Sequence, residues 1–187
     1  MCLIYFQIIN DNRSGLLIFM LQKKAVMDLY VTFQIIIVSI AATSSMTLFS
    51  YAVSAQYREV YKEPLLLTYL LRNFKINLST ASKNTVSWLI HYAIGMVFVT
   101  IYYYFWARNL LQLSFLHALI LGIASGIAGI ISWMILFKVS DYKPPINYKG
   151  YYIQLFTAHI IFALTATAVY AISLSVALLT NSYFVPR

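Results

Sequence analysis

The chain has 187 residues, of which 61% are hydrophobic, 17% aromatic and only 10% charged, and its mean hydropathy is +0.77. Soluble domains carry roughly a quarter of their residues as charges, so a single water-soluble core is excluded. The net charge of +8 does not point to nucleic acid, because the 13 Lys and Arg residues lie between apolar stretches rather than on one basic face.

Residues 1–26, MCLIYFQIINDNRSGLLIFMLQKKAV, differ from the rest of the chain. Asp11, Asn12 and Arg13 interrupt two apolar pieces, neither of which reaches the ~20 residues that a spanning helix needs. Lys23 and Lys24 come after the apolar part, the reverse of a signal peptide. Three readings fit: a short interfacial helix, a disordered leader, or an upstream extension of a protein that starts at Met27. Cys2, the single cysteine, has no disulfide partner and no Cys/His spacing for zinc. It reads as an ordinary apolar residue.

Residues 27–187 form the expected transmembrane domain. The first span covers about 29–55, uncharged between Asp28 and Arg58. Its middle, SIAATSSMTLFS, is dense in small and hydroxylated residues, which let helix backbones approach closely in lipid. The connection 56–84 carries Glu59, Glu63, Pro64 and five basic residues. Within it LLLTYLLRNF is apolar but too short to span, and predicts an interfacial helix opened by Pro64.

The second span covers about 85–107 and the third about 113–137, joined by so short a link at Arg108-Asn109 that the two helices are expected to be antiparallel neighbours. The third carries Gly122, Gly126 and Gly129 at helical spacing, a stripe suited to close helix packing. Pro144, Pro145 and Gly150 act as breakers in the connection 138–152, and the fourth span covers about 153–180. Both larger connections fall on one side with eight basic residues, against five on the other. That bias places the connections 56–84 and 138–152 in the cytoplasm of a multi-pass cell-membrane protein.

Two spans share a pattern. His91 is followed by Gly95 and Tyr102, and His159 by Ala163 and Tyr170, at the same offsets of four and eleven. Two parallel helical hairpins related by repetition are one explanation. His91-Tyr92-Ala93-Ile94-Gly95 and Gly122-Ile123-Ala124-Ser125-Gly126 also resemble small four-helix bacterial inner-membrane proteins of the YagU-like kind. The resemblance implies a bacterial inner-membrane bundle and carries no activity with it. Ala163 departs from the pattern, standing where the His-x-x-x-Gly start has glycine.

An ionisable residue inside a span is a candidate functional site, which singles out His91, His117 and His159. His91 and His159 at matching depth could act as the two axial ligands of a b-type haem; alternatively, both rings hydrogen-bond across helix interfaces. No carboxylate falls within a span, Glu63 included, which argues against an ion-coupled transporter. No nucleophile motif, metal set or phosphate loop is legible.

The sequence therefore predicts an all-α bundle of four transmembrane helices with an interfacial helix in the first loop. Gly95, Gly122, Gly126, Gly129 and Ala163 are the expected helix-packing positions. The function read from it is non-enzymatic: a structural or accessory subunit, or one associated with a small molecule or lipid. Haem binding through His91 and His159, or a passive carrier or channel, are the alternatives. Expected partners are the lipid bilayer and a second copy or another membrane subunit, without nucleic acid.

Overall fold

The computed structural model describes residues 2–74, 77–140 and 142–184, with side chains from Met20 to Leu179 apart from residues 23, 25 and 26. The expectations for Cys2, Asp11, Asn12, Arg13 and Lys23 concern side chains outside the described residues. The described residues form five helices: α1 (Cys2–Tyr57), α2 (Glu63–Asn73), α3 (Thr80–Ala107), α4 (Phe115–Val139) and α5 (Tyr148–Phe184). Four stretches, Met20–Tyr57, Thr80–Ala107, Phe115–Val139 and Tyr148–Leu179, are long and apolar enough to cross a membrane. The architecture is that of a multi-pass membrane protein, in which helices satisfy every backbone group that lipid cannot.

The chain divides into two compact units, residues 1–34 and 35–187. In the first, the Thr32 hydroxyl donates back to the Asp28 carbonyl at 2.9 Å within the helix. The second holds the rest of α1 and all of α2–α5.

Local chemistry sets the helix ends of the second unit. Arg58 and Asn109 take left-handed backbone conformations, φ 55° and 54°, the geometry in which a chain leaves a helix C-terminus. Ser79 caps α3 by accepting from the Ser82 N–H at 3.1 Å, and Ser114 caps α4 from the His117 N–H at 3.3 Å. The side chain of Asn147 accepts from the Gly150 N–H at 3.2 Å and so opens α5. Gly150, read as a breaker, therefore lies inside a helix. The proline pair ends the connection by itself, and the bare Gly150 leaves room for the Tyr61 hydroxyl.

Inward faces follow the small-residue pattern. On α1 the buried positions include Ser39, Ala42, Thr43, Met46, Thr47 and Ser50, the face that the first span marks for packing. On α4, Gly122 and Gly126 lie against α5, where an added β-carbon would stand 2.8 Å from Ile160 Cα and 2.8 Å from the Phe156 ring. The large exposed side chains, such as Leu89, Val97, Ile127 and Ile135, are apolar, as a lipid-facing surface requires.

The helix expected in the first loop is α2, and its environment was not legible in the sequence. It sits where α1 ends, α3 begins and the α4–α5 connection passes. Leu66, Leu67 and Leu70 are buried in the core, as is Glu63. The Asn73 side-chain amide donates to the Ser140 carbonyl at the end of α4. The Tyr61 hydroxyl, just before α2, donates to the Asn147 carbonyl at 3.3 Å. One face of α2 thus closes an end of the bundle.

Candidate functional site

The α3–α4 hairpin is tied at its loop end, where the Tyr102 hydroxyl donates to Ser125 Oγ at 2.8 Å. Farther from that loop the two helices part around a cavity of about 520 Å3. Its walls are mostly apolar and aromatic, with Phe98 from α3, Trp133 from α4 and Phe162 from α5. The polar members of the lining are Thr43, Glu63, His91, Ser132 and His159. Ala93, Ile94 and Val97 on α3 and Ser132 on α4 belong to the lining and are also exposed. These four mark the open side, between α3 and α4, where a bilayer would lie.

Both histidines singled out in the sequence thus reach one cavity. They arrive from different helices and are held by different partners. The Thr47 hydroxyl donates to the Thr43 carbonyl at 2.7 Å, which commits its proton. Its oxygen therefore accepts from His91 Nε2, 2.9 Å away, and the neutral His91 ring carries its lone pair on Nδ1. For His159 the partner is the Leu155 carbonyl, 2.8 Å from Nδ1. A carbonyl can only accept, so the neutral His159 ring has its hydrogen on Nδ1 and its lone pair on Nε2.

Room for that ring comes from Gly129. A β-carbon there would stand 2.6 Å from His159 Cε1 and 2.8 Å from Nε2. Gly95 serves α3 in a similar way, since an added β-carbon would overlap Thr43 Oγ1. Ala163, on the inward face of α5, is fully buried and lies against Gly122. His117 is held apart from the cavity at the start of α4, its Nδ1 2.8 Å from Ser114 Oγ.

Glu63 is the site residue that sequence reasoning did not single out. It lies outside the four candidate spans, as expected, and is only 1% exposed, lining the same cavity as the histidines. Glu63 is the first residue of α2, followed by Pro64, and the buried leucines of α2 pull that first turn into the bundle. Oε1 of Glu63 accepts from Ser50 Oγ at 2.9 Å and from Gln154 Nε2 at 3.3 Å. Gln154 also donates to Ser50 Oγ at 2.6 Å. Burial pushes the Glu63 carboxyl up to about 7, against the opposing pull of its own backbone N–H, Ser50 and Gln154. The available signal was Glu63-Pro64 ahead of a run of leucines, which marks a helix start but not its depth.

Several buried polar atoms here lack a hydrogen-bond partner on another residue. Two of them, Thr43 Oγ1 and Glu63 Oε2, belong to residues lining the cavity. Gln154 Oε1 and the Tyr151 hydroxyl, one helical turn apart on α5, are in the same condition. An unsatisfied buried polar group costs about 1–3 kcal/mol, so the two at the cavity, Thr43 Oγ1 and Glu63 Oε2, are a feature to be explained by function.

No family model matches this chain, and neither the curated proteins nor the solved structures contain a match. The function must be argued from the site itself.

Among the described residues, no group of three or more His, Cys, Asp and Glu side chains is arranged to hold a metal ion. A bis-imidazole haem would have to take His91 Nε2 away from Thr47 or use Nδ1. It would also have to draw His159 Nε2 from beside Gly129. The lining contains no Lys or Arg for the propionates.

Proposed function

We propose that this chain is a non-enzymatic integral membrane protein that binds a small, largely apolar molecule inside its helical bundle. One observation carries the reading: a cavity of about 520 Å3 with apolar walls and a few convergent polar groups. Ligand sites in proteins combine those properties in volumes of about 300–1,000 Å3. The opening between α3 and α4 supports entry from the lipid phase, which suits an amphiphile or a lipid fragment.

The reading is tested with 6-phenylhexan-1-ol and protein in phosphatidylcholine nanodiscs, using empty discs as the blank. Saturable binding of one molecule per chain, lost in Ser132→Trp and Ala93→Trp at the cavity mouth, is the expected result. Binding that only tracks partition into the lipid would overturn it.

A b-type haem is the second reading, favoured by the presence of both His91 and His159 in the lining of one cavity. An oxidised-minus-reduced spectrum of protein expressed with ample haem decides it, and the absence of a Soret band removes it. The placement proposed is a bacterial inner membrane with the connections 56–84 and 138–152 in the cytoplasm, supported by the eight-to-five bias of basic residues. Membership among YagU-like proteins rests on the two short sequence patterns alone. The exposed apolar faces of the helices suit lipid and also a second copy or another membrane subunit.

A further inference from the structure

Three features of the cavity concern the charge and hydrogen-bonding character of what it holds. The first is an anion without a counter-ion. The Glu63 side chain is fully enclosed, its Oε2 has no partner on another residue, and no Lys or Arg lines the cavity. Lys62, its neighbour in sequence, has its ammonium over the Tyr51 ring, 4.7 Å from the centroid. A buried carboxylate in such surroundings is resolved by taking up a proton or a cation.

The second feature is an excess of acceptors. Glu63 Oε2 is buried without a donor, and His159, with its hydrogen on Nδ1 against the Leu155 carbonyl, offers the lone pair of Nε2. The complement of the Glu63 oxygen is a group that brings N–H donors and no acceptor, which describes an ammonium. The third feature is the aromatic wall of Phe98, Trp133 and Phe162. Ring faces attract cations by about 0.5–2 kcal/mol and also accommodate an apolar body.

We infer that the cavity takes an amphiphilic organic cation, an alkyl- or arylalkylammonium, with its nitrogen at the Glu63 carboxylate and its apolar body among Phe98, Trp133 and Phe162. The inference rests on the binding function proposed above and names the ligand class for that site. It also couples binding to proton release. With the Glu63 carboxyl up at about 7, the empty site holds a proton at pH values below neutrality. The Oε1 oxygen is occupied by Ser50 and Gln154, so that proton belongs on Oε2. The incoming ammonium replaces it, the O–H bond breaks, and the proton passes to solvent. The titratable groups around Glu63 are Tyr51 from α1, His91 from α3, and Tyr151 and His159 from α5; the α4 part of the lining contributes none.

The test compares 6-phenylhexylamine with 6-phenylhexan-1-ol, which differ in the charged end alone, by calorimetry on protein in phosphatidylcholine nanodiscs. At pH 8 the amine is expected to bind at least tenfold more tightly than the alcohol in the wild type. In Glu63→Gln the two affinities should fall within about twofold of each other. On the wild type alone, repeating the titration at pH 6 in buffers of different ionisation enthalpy should show close to one proton released per amine and none per alcohol. That measurement needs no variant to fold. Equal affinities in the wild type, a preference that survives Glu63→Gln, or amine binding without proton release overturns the cation assignment while leaving a binding cavity in place. Failure of both compounds to bind overturns the cavity reading itself, and this inference with it.

Discussion

His159 fills the space that a side chain at position 129 would need, its ring atoms Cε1 and Nε2 standing 2.6 and 2.8 Å from where a β-carbon would be built on Gly129. The contact fixes both the spacing of α4 against α5 and the position of the His159 ring at the cavity. Alanine at 129 would gain about 1 kcal/mol of helix propensity, but overpacking a tight contact costs about 1–3 kcal/mol. The ring is tethered through Nδ1 to the Leu155 carbonyl and cannot swing aside without losing that bond. Gly129→Ala should therefore lower the midpoint of thermal unfolding in detergent. Gly122→Ala should do the same, because its obstacle is backbone, Ile160 Cα at 2.8 Å. Unchanged midpoints in both variants would show that α4 and α5 are not seated on these glycines.

Thr47 and His91 make a buried bond across α1 and α3. Interhelical hydrogen bonds in membranes average about 0.6 kcal/mol and reach about 1.7 kcal/mol in double-mutant cycles. A cycle of Thr47→Val, His91→Phe and the double variant, read by unfolding in detergent, should return a coupling in that range. Strictly additive effects would mean that the two side chains do not interact.

The depth of α2 has its own mechanical consequence. A helix whose leucines touched only lipid would lose little when one of them is truncated. Leu66 is fully buried in the core instead, and removing such a side chain costs about 2–5 kcal/mol. Leu66→Ala should destabilise the bundle by an amount in that range and raise amide exchange selectively in α2. Loss of less than about 0.5 kcal/mol, the range of ordinary surface changes, would show that α2 does not pack into the core through Leu66.

The parts of this molecule that were legible in the sequence are those written by local periodicity. The helix-packing face of α1 could be read from Ser39 to Ser50 because small residues recur there at helical spacing. The glycine stripe of α4 could be read for the same reason. His91 and His159 stood out because a titratable group is rare inside an apolar run. Glu63 did not stand out, since in a polar connection a carboxylate is ordinary. Its burial comes from long-range contacts, Ser50 on one side and Gln154 on the other, that no local pattern encodes. The same holds for Gly150, whose bare backbone reads as a turn until Tyr61, distant in sequence, is brought against it.

Glu63 gives the stability of the protein a defined dependence on pH. Its carboxyl titrates near 7 in the folded state because of burial, against an ordinary value of 4.5. The folded chain therefore holds this proton through a range of pH in which the unfolded chain has released it. Stability from this group is fully present below pH 4.5 and falls as pH rises towards 7, where the folded state loses the proton too. Above that point the contribution is constant. At about 1.4 kcal/mol per pKa unit, the loss across the window is roughly 3 kcal/mol. The other titrating groups are removed by taking the difference between wild type and Glu63→Gln, whose amide remains neutral throughout. Measured by denaturation in detergent from pH 4 to 8 without added amine, the wild type should lose stability relative to Glu63→Gln, with most of the change between pH 5 and 7. A difference that stays flat with pH, or one that grows in favour of the wild type, would place the Glu63 carboxylate in water rather than inside the bundle.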